Sequence, residues 1–84
     1  MKEIKNTLLD SGVISECDLT RIKLIANIKH RRLILNVTQT ELSKISGVPQ
    51  KTISRMENFL SIPSLETVIK LLHSLNLELD IKEK

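Results

Sequence analysis

Eighty-four residues with a 40% hydrophobic share make one domain, near the lower limit of what a single apolar core stabilises. The apolar share is almost wholly aliphatic: Phe59 alone is aromatic, which denies stacking platforms to single-stranded nucleic acid, and a lone Cys17 excludes a disulfide framework and a thiolate metal cluster. The net charge of +3 conceals a segregation, with −2 over residues 1–20, +7 over 21–56 and −2 over 57–84, so a polyanion would be met by the basic middle third.

In chain order, residues 1–14 read as an N-terminal extension, in which a short helix over 3–10 carries Ile4 and Leu8 on one side and is ended by Gly12. Ser15 then caps a long helix, with Glu16 and Asp18 in its first turn and Ile14 placed to staple Leu19. Leu19, Ile22, Ile25, Ala26 and Ile28 follow at helical spacing to about Leu33, and Asn36 is a natural stop. Thr38 and Glu41 form a capping box for a second helix, about 39–46, with Leu42 and Ile45 as its buried residues. Gly47 ends it, and Pro49 opens a third helix, about 50–57. Two short helices joined by a Gly-containing turn are a helix-turn-helix signature. Pro63-Ser64 opens a fourth helix, whose core stripe is expected to be Leu65, Val68, Ile69, Leu72 and Leu75, with Asn76 beyond its end.

A helical wheel divides the third helix sharply. With Gln50 at 0° and about 100° per residue, Ser54 falls near ~40°, Lys51 near ~100° and Arg55 near ~140°. Met56 (~240°), Ile53 (~300°) and Glu57 (~340°) lie on the other side. One side is core. The other offers Gln, Ser, Lys and Arg, the residue types that read base edges or grip phosphates in a major groove. The plain alternative is a solvated helix face.

The stretches "RRLILNVTQTELSKISGVPQKTISRMEN" and "PSLETVIKLLHSLNL" resemble the Cro/CI-repressor-type, or Xre-type, helix-turn-helix proteins with the lambda-repressor-like fold, over about Ile28 to Leu77. The resemblance implies an all-α, compact four- to five-helix DNA-binding domain over residues 15–76. It implies that Gln39 touches the DNA backbone and buttresses the base-reading residues. By the same resemblance Gln50, Lys51 and Arg55 contact bases, with Ser54 on the same arc, and Arg32 and Glu57 form a structural salt bridge. The chain also departs from the family pattern. The usual Glu-Asn-Gly is Glu57-Asn58-Phe59, so either Asn58 is left-handed or the loop differs, and Phe59 is expected in the core. The loop "FLSIP" lacks the usual Lys or Arg, and Pro49 replaces a frequent Ser or Thr.

In the tail 77–84, Leu77, Leu79 and Ile81 alternate with Glu78, Asp80 and Lys82, the pattern of a short C-terminal β-strand with one apolar face. The same strand of a second copy is its natural partner, giving a two-fold homodimer. An unpaired polar terminus, or pairing of the strand with residues 3–8 beside a helix-four dimer, are the alternatives. The tail also resembles the end of small antitoxins of the HipB type. The functional expectation is therefore a dimeric transcriptional regulator binding double-stranded DNA. Its alternative is an antitoxin that binds a toxin protein and regulates its own operon.

His30 and His73 have no ligand spacing, and no nucleophile, base and orienter assemble into a catalytic set. No metal, cofactor or enzyme activity is expected. No apolar run reaches the ~18 residues of a membrane span and no signal-peptide pattern opens the chain, so a cytoplasmic protein is expected.

Overall fold

The computed structural model describes residues 15–83, and the helix expected over 3–10 lies outside the described residues. The helices are α1 (Glu16–Ile34), α2 (Gln39–Ser46), α3 (Gln50–Glu57) and α4 (Leu65–Ser74). Three of them start on side-chain caps: Ser15 accepts from the Asp18 N–H, Thr38 from the Glu41 N–H and Ser64 from the Thr67 N–H. At α2 the box is reciprocal, because Glu41 Oε1 accepts from the Thr38 N–H at 2.9 Å. α3 starts behind Pro49, whose ring supplies a φ of −56° and no side-chain bond.

Every one of these helices stops at a left-handed residue: Asn36 (φ 56°), Gly47 (φ 78°), Phe59 (φ 58°) and Asn76 (φ 57°). At three of them the next N–H reaches back five residues, from Val37 to the Arg32 carbonyl, Leu60 to Arg55 and Leu77 to Leu72. That bond closes a Schellman motif and satisfies carbonyls that the helix end would leave bare. Asn tolerates the conformation through its short polar side chain, whereas a residue such as Phe carries a cost of about 1–2 kcal/mol. The reversal passes to Phe59 because Asn58 is still tied to α3, its Nδ2 donating to the Ser54 carbonyl at 2.9 Å with φ at −93°.

α2 packs on α3 and α4, and α1 packs on α3. Ile28, Leu42, Ile53, Met56, Leu71 and Leu75 are fully buried at their junction. Four expectations shift here. Ile45 is 62% exposed, because α2 turns away at Gly47 and Val48 takes the buried place. In α4 the buried stripe is Val68, Leu71, Leu72 and Leu75, while Leu65 and Ile69 are exposed. With Val68 at 0°, the stripe occupies roughly −60° to +40°, and Leu65 (~60°) and Ile69 (~100°) fall on its flank. On α1 the inward face is Ile25, Ile28 and Arg32, with Ile22 and Ala26 exposed. Phe59 does not enter the core and is 53% exposed.

Among the described residues the chain is all-α. The strand expected over 77–84 is not formed in the single chain, where 77–83 carry no regular secondary structure and a lone strand has no partner for its backbone groups. Leu77 packs against the core, and Arg31 Nε donates to the Leu75 carbonyl at 3.1 Å, tying the end of α1 to the end of α4.

A methyl group at Gly47 would meet nothing within 4 Å, so the backbone alone sets the cost of replacing it. Gly47→Ala is expected to destabilise by about 1 kcal/mol and Gly47→Asn by clearly less. Urea denaturation of the three proteins checks this, and equal losses for Ala and Asn would contradict it.

Candidate nucleic-acid interface

A chain of polar contacts runs from the core to the exposed edge of α3. It begins at Arg32 on the inward face of α1 and Glu57 in the last turn of α3, which are 7% and 3% exposed. Arg32 Nε donates to Glu57 Oε2 at 2.7 Å and Nη2 donates to Oε1 at 2.8 Å, a bidentate pairing of fork to carboxylate. The remaining Arg32 nitrogen, Nη1, donates to the Val37 carbonyl at 2.8 Å, across the turn that leads into α2. Glu57 Oε1 also accepts from Gln39 Nε2 at 3.0 Å. Gln39 Oε1 in turn accepts from Gln50 Nε2 at 2.9 Å.

This sequence of contacts has a fixed polarity. An ionised carboxylate only accepts, so Gln39 must turn its NH2 toward Glu57 and its oxygen toward Gln50. Gln50 must then answer with its own NH2. The charge at Glu57 thereby decides, two residues away along the network, which atoms Gln50 presents to solvent. Burial alone would push the Glu57 carboxyl up. The hydrogen bonds from Arg32 and Gln39 and the charges of Arg32 and Lys29 outweigh burial, and the group is held below its ordinary value. The same hydrogen bond to Glu57 holds Arg32 above its own.

The other residues of the arc are placed less tightly. Gln50, Lys51 and Arg55 are exposed, and Ser54 is half-buried. Arg55 Nη2 lies 3.4 Å from the Leu60 carbonyl, a long contact that leaves most of the guanidinium to solvent. Gln39 is half-buried at the first position of α2, next to the Thr38 cap. Gln39, Gln50, Glu57 and Arg32 are thus one connected group, and Lys51, Ser54 and Arg55 share the exposed edge of α3 without joining it. The Val37 carbonyl as a further partner of Arg32 had no signal in the sequence and depends on the turn after α1. The amide-to-amide bond from Gln50 to Gln39 is the form taken by the buttress that the resemblance implied, and it depends on the angle between α2 and α3.

Among the described residues no helix is long and apolar enough to cross a membrane, and no group of His, Cys, Asp and Glu is arranged to hold a metal ion. A family profile described as helix-turn-helix matches residues 28–82. An uncharacterized HTH-type transcriptional regulator of Haemophilus influenzae (strain ATCC 51907 / DSM 11121 / KW20 / Rd) is 35% identical over 79 residues, 94% of this chain and 80% of the relative. No solved structure matches the chain.

A carboxyl whose folded pKa lies below its unfolded one stabilises the fold fully above the unfolded value, and that contribution is lost as pH falls through the folded value. Glu57 is such a group, so stability is expected to fall as pH drops below the ordinary glutamate range. Glu57→Gln should be less stable at neutral pH and show a shallower acid slope. Among the described residues, Asp18, held down by Ser15, and Glu41, held down by Thr38, add to the residual slope. Urea melts across that range check the slopes, and parallel curves would remove Glu57 from the account.

Proposed function

The chain belongs to the helix-turn-helix proteins of the Cro/CI-repressor type and is a DNA-binding transcription regulator, and from that premise we propose that it reads duplex DNA sequence-specifically, with α3 in the major groove and as a two-fold dimer. The observation that carries the reading is the held amide of Gln50. One of its N–H groups is committed to Gln39. That leaves the second N–H and the oxygen side by side, a donor and an acceptor in fixed order. Adenine offers the complementary pair, N7 and N6–H, at the floor of the major groove.

Lys51 and Arg55 flank this amide with positive charge, Ser54 adds a hydroxyl, and Gln39 at the start of α2 is placed for a backbone phosphate. On this reading the amide discriminates among bases, while Lys51 and Arg55, at positions that the resemblance gives to base contact, also add charge that strengthens binding to any duplex. Gln50→Ala is expected to cost about 1–3 kcal/mol on the preferred site and to relax preference at one position per half-site. Lys51→Ala should weaken all sequences together and reduce the log-log salt slope by about 0.9 if the ammonium meets a phosphate. Binding titrations on preferred and scrambled duplexes between about 50 and 200 mM salt separate the two. A Gln50 variant with unchanged sequence preference would refute the assignment.

One recognition helix reads only a few base pairs, and a two-fold dimer sets two of them about 34 Å apart on one face of a palindrome. The tail supports this arrangement. Leu79 and Ile81 are 49% and 92% exposed, on a segment whose backbone has no partner strand in the single chain. Antiparallel pairing with a second tail would cover both. A chain lacking residues 78–84 is expected to sediment as a monomer and to lose tight binding to a palindromic site while keeping its helical content. A truncated chain that stays dimeric would overturn the tail as the dimer contact.

A further inference from the structure

Gln50 and Glu57 open and close α3, on the same side of the helix but about 10 Å apart along its axis. Gln39, the first residue of α2, spans the gap between them. Its Nε2 donates to Glu57 Oε1 at 3.0 Å, and its Oε1 accepts from Gln50 Nε2 at 2.9 Å. A side-chain amide has a donor end and an acceptor end, so a residue in this place can transmit direction as well as position.

We propose that Gln39 is a specificity-determining relay: its direction, imposed by Glu57, sets the order in which the Gln50 amide offers donor and acceptor to a base. The proposal rests on the reading of Gln50 as a base-contacting residue. The direction is not a free choice. Arg32 Nε, Arg32 Nη2 and Gln39 Nε2 all donate to the Glu57 carboxylate. Turning the Gln39 amide round would set a carbonyl oxygen against an ionised oxygen, exchanging a charge-assisted bond for a repulsion. Gln39 therefore shows Gln50 an oxygen, and Gln50 must meet it with nitrogen.

A prop that only held Gln50 in place would serve equally well with either end forward. The difference lies in the base selected. With its nitrogen toward Gln39, the outer edge of the Gln50 amide pairs with adenine, the oxygen facing N6–H and the N–H facing N7. Turned by half a rotation, the same edge sets N–H against N6–H and oxygen against N7, and both contacts fail. Guanine then gains, because its O6 acceptor occupies the place of the adenine N6–H. The second N–H of Gln39 takes part in neither bond and is left for a backbone phosphate, so the two tasks of this residue do not compete.

The test uses the full chain and leaves Arg32 and Glu57 untouched, because loss of either strands a buried ion. Gln39→Lys offers only donors, to Glu57 and to Gln50, and so reverses Gln50, whereas Gln39→Met offers nothing to either. In a selection from random duplexes the unaltered chain is expected to favour adenine over guanine at least about fivefold at one position per half-site. Gln39→Met should keep adenine first with a ratio closer to one, and Gln39→Lys should put guanine first. Gln39→Lys combined with Gln50→Ala should show neither preference. If both substitutions at Gln39 weaken adenine alike without reordering the bases, Gln39 is only a prop and the relay is wrong. If Gln50→Ala alone leaves the preference intact, the base-reading role of Gln50 fails and takes the proposal with it. NMR of the free, isotope-labelled protein reads the direction without DNA. Couplings across the hydrogen bonds are expected from the Gln39 side-chain nitrogen to the Glu57 carboxyl carbon and from the Gln50 nitrogen to the Gln39 carboxamide carbon. A coupling from the Gln39 nitrogen to the Gln50 carboxamide carbon would overturn the relay whatever the duplex selection gives.

Discussion

The buried charge pair between Arg32 and Glu57 is the constraint on which the functional surface depends. Two ions taken from water carry a desolvation cost of several kcal/mol each, and their attraction offsets it only when the geometry is good and the remaining polar atoms are satisfied. Here the pairing is bidentate, and the third guanidinium nitrogen and the inner carboxylate oxygen each find a further partner. Among the described residues no buried side-chain nitrogen or oxygen is left unpaired. Loss of either ion would strand the other, at a cost of about 3–5 kcal/mol, a large share of what a domain this size has. What the pair contributes beyond stability is orientation: it joins α1, the turn into α2 and the end of α3, and its negative end sets the direction of every amide beyond it.

The remaining architecture brings short helices to that junction. α2 and α3 have eight residues each, too few to be stable alone, so their form depends on packing rather than on propensity. Each contributes few but fully buried side chains, Leu42 from α2 with Ile53 and Met56 from α3. The left-handed stops turn the chain sharply enough for the next helix to fold back on the same core. Phe59 is the exception in kind. An aromatic residue in a conformation suited to Gly or Asn carries strain, and the neighbouring Asn58 explains why, since its side chain is committed to α3.

Charge and shape are divided over the surface in a manner that fits the division of labour. The basic middle third puts Lys51 and Arg55 on the exposed edge of α3, where a positive charge is felt at long range and with little geometric demand. The Gln50 amide could act only within hydrogen-bond distance, and it is the one whose orientation the interior fixes. The loop after α3 is apolar and carries no Lys or Arg, so on the proposed reading contact with the DNA backbone falls to α2 and α3.

Much of this was legible in the sequence because the signals are local. The Thr38–Glu41 box, Pro49, the stops at Asn36, Gly47 and Asn76, and the spacing that gathers Gln50, Lys51, Ser54 and Arg55 each depend on residues within one or two turns, where backbone geometry is nearly fixed. Resemblance to a family supplied the partner of Arg32, which spacing alone does not give. The tertiary structure decided what depends on how the helices cross. It turned α4 so that Leu71 rather than Ile69 is inside, gave Val48 the place expected for Ile45, and chose between a left-handed Asn58 and a different loop by placing the left-handed residue at Phe59. It also linked Gln50 to Gln39, eleven positions apart, by bringing two helices within hydrogen-bonding distance. Periodicity fixes which residues share a face, but the direction that face points is set by the neighbour it packs against, and that information is not local.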